Sequence, residues 1–171
     1  MQRSLLYMHA LAKTIGSFET ESEQKLPDDL RSWFPAHEVL ALATEAAELV
    51  TQDPAFRKGG FEQFHVSMML ALLGYCYATN RFDSADVESA AVSEEVLLDF
   101  VNLPDAPAVR RFRRAYRPWI LQCLIYILTQ ATAESSEMNL EIDCPGIRME
   151  IAEWASRKIE LAILMDAAAA D

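Results

Sequence analysis

The chain has 171 residues, of which 51% are hydrophobic, and its formal net charge is −11 at pH 7. This length and apolar content are enough for one substantial buried core. With only 5 glycines and 7 prolines beside several long periodic segments, the composition favours an all-α helical bundle over a strand-rich fold. The acidic balance argues against indiscriminate nucleic-acid binding, because attraction to phosphate scales with the cations that a protein presents.

The sequence shows no sign of export or of membrane insertion. Met1–Phe18 has a broken apolar run without a cleavage pattern, so we expect no signal peptide. The longest apolar runs, Val66–Ala78 and Trp119–Leu128, are shorter than the roughly 20 residues that span a bilayer. The cysteines are odd in number and lack paired spacing, which is typical of buried thiols in a reducing cytoplasm: Cys76, Cys123 and Cys144. We therefore predict a cytoplasmic protein without a membrane partner.

In the first third of the chain, apolar periodicity and breakers predict two helices and a hinge. Arg3–Ile15 is predicted to be a short amphipathic helix, and Pro27-Asp28-Asp29 to open a helical turn. Ala36–Gln52 repeats apolar residues at helical spacing until Asp53-Pro54 stops it. Gly59-Gly60 is the clearest hinge signal, so we divide the chain into an N-terminal helical segment (1–58), a central helical domain (59–133) and a C-terminal helical segment (134–171). The alternative is that the three segments pack as one domain.

The central and C-terminal segments are predicted to hold a buried helix, short capped helices and two long helices. Phe61–Asn80 is apolar on most sides after His65, which is typical of a central core helix. Pro118 should kink or restart the helix that precedes it. The remaining predicted helices are Ser84–Ala91 capped by Asp83-Ser84, Ser93–Val101, Ala106–Tyr116, Trp119–Ala133 and Ile147–Met165.

The predicted helix Ala106–Tyr116 begins the most unusual segment of the chain. Five of the fifteen Lys and Arg residues fall within eight positions, so the segment 105–118 has a charge of +4 against −15 for the rest. At about 100° per residue, four of the arginines share one face, while Val109, Phe112 and Tyr116 fall on an apolar face. Because guanidinium groups match phosphate bidentately, we expect this face to bind DNA. The predicted DNA-binding residues are Arg110, Arg111, Arg113, Arg114 and Arg117. Alternatively, the arginines pair with acidic side chains of the same fold.

The order of two short helices, a proline turn and a basic helix is that of a helix-turn-helix. The run Met69–Ala90, followed by Leu103-Pro104-Asp105 and then Val109–Arg114, resembles the N-terminal domain of DDE-type insertion-sequence transposases. The resemblance covers roughly residues 60–130, and the triplet Phe112-Arg113-Arg114 after Pro104-Asp105 is its distinctive part. It implies a domain that recognises the DNA ends of a mobile element.

The sequence also departs from this family. Ala106-Pro107-Ala108 stands where the family usually has His and small polar residues. In the family, the basic helix is followed by a ribonuclease-H-like domain with three carboxylates. In this chain, the helix Ala106–Tyr116 is followed only by further helical segments and by Asn139–Gly146 between them. We therefore expect a shortened or repurposed relative without strand-transfer chemistry, and not an enzyme.

No catalytic, metal or cofactor site is predicted elsewhere. The histidines His9, His37 and His65 share no metal spacing, and no phosphate loop or nucleophile elbow is present. Met149 and Met165 are expected to fill the core. The wide apolar stripe of the C-terminal helix predicts either packing on the bundle or a homodimer interface. The competing hypothesis for the whole chain is a helical protein-interaction or regulatory module with no DNA binding.

Overall fold

The computed structural model describes residues 26–56, 65–93, 102–135 and 145–168, and every regular element in these ranges is helical. A 3-10 turn, Leu30–Ser32, precedes five α-helices in these ranges. They are α1 (Ala36–Gln52), α2 (Val66–Ala78), α3 (Ser84–Ala91), α4 (Ala106–Glu134) and α5 (Pro145–Ala168). The all-α class and the helical bundle are therefore confirmed. The predicted helix 3–15, the hinge Gly59-Gly60 and most of the predicted helix 93–101 lie outside the described residues.

The bundle is built around α2, which is buried on nearly every side as its apolar sequence predicts. Helices α1 and α4 flank it, α3 packs on α2 and α4, and α5 lies across α4 and α2. A Cβ added at Gly74 would meet Cδ1 of Ile127 at 3.0 Å and Cβ of Ala43 at 3.6 Å. The absence of a side chain at Gly74 thus lets three helices approach closely. Residues from all three predicted segments enter one apolar cluster.

The turn after α2 has a specific backbone geometry. Asn80 adopts a left-handed conformation with a φ of 61°. The amide of Arg81 donates to the carbonyl of Cys76 at 2.8 Å, and the amide of Asn80 donates to that of Tyr77 at 3.3 Å. These two bonds are those of a Schellman motif, in which glycine or asparagine usually takes the left-handed position. The turn brings the carbonyl of Phe82 to Arg113 of α4 and places Ser84 at the start of α3.

Helix α4 consists of two halves joined at a bend. Tyr116 departs from helical geometry, with φ −115° and ψ 17°, two residues before Pro118. A proline inside a helix lacks the amide donor and its ring clashes with the preceding turn, so the predicted kink is confirmed. Phe56 packs against both sides of the bend, with ring centroids 5.8 Å from Tyr116 and 5.1 Å from Trp119. The first half holds the arginines, and the second half is anchored in the core.

Candidate nucleic-acid interface

At the N-terminus of α4, carboxylates of the protein itself accept hydrogen bonds from the first backbone amides. The side chain of Asp105 accepts from the amide of Ala108 at 2.7 Å, and Glu88 of α3 accepts from the amide of Ala106 at 2.9 Å. A helix N-terminus attracts anions because its first amides lack partners. Here two of those amides are already paired with carboxylates. An anionic ligand would therefore approach α4 from the side, and not end-on as in a helix-turn-helix whose first residues read bases.

Four of the five predicted arginines lie at the surface of this half of α4. Arg111, Arg114 and Arg117 are exposed, and Arg110 is half-buried. Within the part of the chain that the structure describes, no carboxylate forms an ion pair with any of the four. On the opposite side, Val109, Phe112 and Tyr116 are buried, as predicted, and the rings of Phe112 and Tyr116 stack at 4.4 Å. These four arginines are called the arginine face below.

The prediction that Arg113 lies on this outward face is wrong. Arg113 is only 2% exposed. At 100° per residue it lies about 40° from the buried Val109 and about 60° from Arg110, at the border between the two faces. The turn after α2 and the last turns of α5 close over this border. The periodicity of α4 alone could not show that other elements would cover Arg113.

The guanidinium of Arg113 is nearly saturated with acceptors. Its Nε donates to the hydroxyl of Tyr77, and its Nη1 donates to the carboxylate of Asp166 and, at 2.8 Å, to the carbonyl of Ala162. Its Nη2 donates to the carbonyl of Phe82 at 3.0 Å. Four of the five donors of the guanidinium are thus used. Arg113 therefore ties α4 to α2, to the turn before α3 and to α5.

Asp166 is the anionic partner at the centre of this cluster. Besides the contact with Arg113, its Oδ2 accepts from the hydroxyl of Ser84 at 2.9 Å, and its Oδ1 accepts from the amide of Ser84 at 3.1 Å. Burial raises the pKa of the adjacent Tyr77 well above its usual value, although the charge of Arg113 opposes the rise. The Tyr77 hydroxyl accordingly keeps its proton at neutral pH.

A second cation, Lys158 of α5, is buried beside the turn that follows α2. It is 4% exposed, and its Nζ donates to the backbone carbonyl of Asp28 and to Oδ1 of Asn80. It lies 4.9 Å from the ring of Trp154 and 5.2 Å from the ring of Phe82. Burial lowers its pKa to about 8, against the opposing effect of the Asp28 and Asp29 carboxylates. Lys158 and Trp154, whose Nε1 donates to the carbonyl of Pro27 at 2.8 Å, hold the segment before α1.

Sequence reasoning missed both polar clusters, although it contained a signal for them. Lys158 and Asp166 fall at helical spacing with the buried Trp154, Ile159 and Ala162, so both are polar residues within an apolar stripe. A polar residue at such a position needs a buried partner. The partners themselves lie far away in the sequence and could not be assigned from spacing.

Several apolar side chains of α5 are exposed to solvent. Met149 and Met165 were expected to fill the core, but they are 62% and 40% exposed. Leu161, Ile163 and Leu164 are exposed as well. The inner stripe of α5 packs on the bundle. This is one of the two alternatives that the sequence left open, the other being a dimer interface. The outer side also borders a shallow groove lined by Met149, Ala152, Glu153, Ser156 and Arg157.

The described ranges hold no group of three or more His, Cys, Asp or Glu side chains that could bind a metal ion. In these ranges, no helix has both the length and the apolar character that crossing a membrane requires. Cys76 and Cys123 are buried free thiols, and burial raises the pKa of each to about 12. Cys144 lies outside the described residues.

The fold and the site define an all-α protein with an arginine face on its longest described helix. No protein-family model, curated protein or solved structure matches the chain. The resemblance to transposases therefore stays a prediction.

Proposed function

We infer that this chain binds DNA through the phosphate backbone, using Arg110, Arg111, Arg114 and Arg117, as a module resembling the DNA-recognition part of a transposase. The observation that supports this function best is that the four arginines have no carboxylate partner among the described residues. Guanidinium groups that are solvated and close together can exchange water and counterions for phosphate oxygens. The proposal does not include Arg113, and it assigns no cutting or joining of DNA to this chain.

The geometry of α4 favours contacts to the backbone over contacts to bases. Arg110 and Arg117 are seven residues apart, which is about 10 Å along a helix. The arginine face therefore runs along the side of the helix, while Asp105 and Glu88 occupy its N-terminus. Contacts to phosphate position a protein on the duplex but transmit little sequence information. We accordingly expect weak sequence preference.

A titration of fluorescently labelled duplex DNA at low salt tests this function. Replacing Arg114 by Gln should weaken binding several-fold, because a phosphate contact is lost. Arg157→Gln is the matched control, since it removes the same charge from an exposed site on α5. Equal effects of the two substitutions would indicate only a response to net charge. No binding by the wild-type protein at low salt would refute the proposed function.

A second candidate is a helical protein-interaction module that binds no DNA. The observation that favours it is the group of exposed apolar side chains near the C-terminus of α5: Leu161, Ile163, Leu164 and Met165. Exposed apolar clusters on helices mark contacts with other protein chains. The simplest partner is a second copy of this chain. Sedimentation velocity should then show a dimer that Leu164→Glu dissociates, whereas a monomer at all concentrations would exclude this homodimer.

A further inference from the structure

The carboxylate of Asp166 is bound as an anionic ligand would be bound. It receives a guanidinium N–H from Arg113, a hydroxyl from Ser84 and the amide of Ser84. Guanidinium, hydroxyl and amide donors are the groups that proteins use for phosphate as well as for carboxylate. Arg113 is itself 2% exposed, so its charge is held in a site from which solvent is excluded. The oxyanion site is thus occupied by a carboxylate of the same chain.

This site adjoins the arginine face. Arg113 lies three residues from Arg110 and four from Arg117, the two spacings at which helical side chains are neighbours. It differs from them only in being covered by the turn after α2 and by the end of α5. Arg113 is therefore a fifth arginine at the edge of the face, with its charge paired within the protein.

The end of α5 that covers Arg113 is held by few contacts. Around Asp166, the residues Leu164, Met165, Ala167 and Ala168 are all exposed. The last buried apolar residue of α5 is Ala162, one turn earlier. The final turn of a helix opens at a lower cost than its core, because few apolar contacts are lost. The ion pair with Arg113 and the two bonds from Ser84 are the main polar links that keep this turn closed.

We propose that the contact between Asp166 and Arg113 is autoinhibitory: Asp166 competes with nucleic-acid phosphate for Arg113. When the last turn of α5 opens, a phosphate oxygen replaces the carboxylate oxygen at Nη1 of Arg113, and the arginine face gains a fifth contact. The closed turn lowers affinity because binding in the five-contact mode must first break the internal ion pair. This inference rests on the proposed binding of DNA by the arginine face.

Two variants weaken the closed turn in different ways. Asp166→Asn removes the competing charge, and Ser84→Ala removes one hydrogen bond to Asp166 without changing the net charge. Asp166→Asn should raise the affinity for labelled duplex several-fold and steepen the slope of log K against log salt by about one unit. Ser84→Ala should raise the affinity by a smaller factor, which a general change in charge cannot explain.

The controls separate this mechanism from general electrostatics. Glu160→Gln removes an equal charge from the exposed side of α5 and should change affinity less than twofold. The double variant Arg113→Gln with Asp166→Asn should lose the gain of Asp166→Asn, because the fifth arginine is absent. Circular dichroism at the assay temperature checks folding, and if Asp166→Asn is unfolded then Ser84→Ala decides the question.

The outcomes distinguish the two proposals. If neither wild type nor any folded variant binds DNA at low salt, the proposed function fails. If wild type binds but Asp166→Asn and Ser84→Ala leave affinity and salt slope unchanged, only the autoinhibitory contact is overturned. Equal gains for Asp166→Asn and Glu160→Gln would overturn it as well. Hydrogen exchange gives an independent check, because the proposal requires faster exchange at 162–166 when DNA is bound.

Discussion

Lys158 should make the stability of the fold depend on pH above neutrality. Burial lowers the pKa of Lys158 to about 8, whereas the ordinary value is 10.5. A lysine in the unfolded chain therefore binds its proton up to a higher pH than Lys158 does in the folded protein. Between pH 8 and 10.5 the unfolded state holds more protons, so the free energy of unfolding rises with pH. A difference of one bound proton corresponds to about 1.4 kcal/mol per pH unit.

The effect can be isolated by comparing wild type with Lys158→Met. Because protonation is partial near pH 8, wild type should gain about 1 kcal/mol relative to the variant between pH 8 and 9. The buried Cys76 and Cys123 have raised pKa values, so their contribution is lost as the pH rises above 9. Tyr77 behaves in the same way above pH 10. These contributions are common to both proteins and cancel in the difference.

Urea titrations at pH 7, 8 and 9 measure this difference. Arg111→Met is the control, since it removes an exposed cation that is not among the charges acting on Lys158, and it should show no such slope. The absolute stability of Lys158→Met is not the quantity of interest, because the carbonyl of Asp28 and Oδ1 of Asn80 also lose a donor. A stability difference between wild type and Lys158→Met that stays constant across this pH range would refute the reasoning about the buried ammonium.

Three further predictions concern packing, the buried ion pair and the turn after α2, and a fourth concerns catalysis. Leu124 is fully buried, so Leu124→Ala should cost roughly 2–5 kcal/mol in a denaturant titration, and a loss below about 0.5 kcal/mol would place this half of α4 at the surface. Arg113→Ala should cost about 3–5 kcal/mol because Asp166 is left without its partner, whereas Arg111→Ala should stay within about 0.5 kcal/mol; similar losses would contradict the placement of Arg113. Asn80→Gly should be about 1 kcal/mol more stable than Asn80→Ala, because both lose the contact with Lys158 but only alanine strains the left-handed backbone, and equal thermal stabilities would argue against that conformation. Supercoiled DNA incubated with the protein and Mg²⁺ or Mn²⁺ should remain uncut. A nicking activity that co-purifies with the protein would show a catalytic site.

The helices were predictable because local signals agree with the final packing. Ala36–Gln52 lies as predicted between Pro35 and Asp53-Pro54, and α3 begins after Asp83, whose side chain accepts from the amide of Ala85 at 2.9 Å. The bend in α4 could be predicted from Pro118, because proline has no amide donor and its ring clashes with the preceding turn of a helix. Such features depend on residues within one or two helical turns. They can therefore be inferred from the sequence without knowledge of the tertiary contacts.

The polar clusters could not be predicted because their members are distant in the sequence. The partners of Arg113 lie 36 positions away at Tyr77 and 53 positions away at Asp166. Periodicity placed Arg113 on the outward cationic face, but whether a residue near the border of that face points to water or to the core depends on what packs beside it. The positions of α5 and of the turn after α2 decide this. The sequence did identify the cationic segment, and four of its five predicted DNA-binding arginines lie at the surface.

The dependence of DNA affinity on salt tests the proposed role of the arginine face most directly. Each phosphate contact contributes a slope of about −0.9 to log K against log salt for duplex DNA. Four arginines that contact phosphates predict a slope of roughly −3.6 for the wild-type protein, and Arg114→Gln should reduce its magnitude by about one unit. Arg157→Gln should leave the slope unchanged. A wild-type slope near zero, or equal slopes for wild type and Arg114→Gln, would contradict DNA binding through the arginine face.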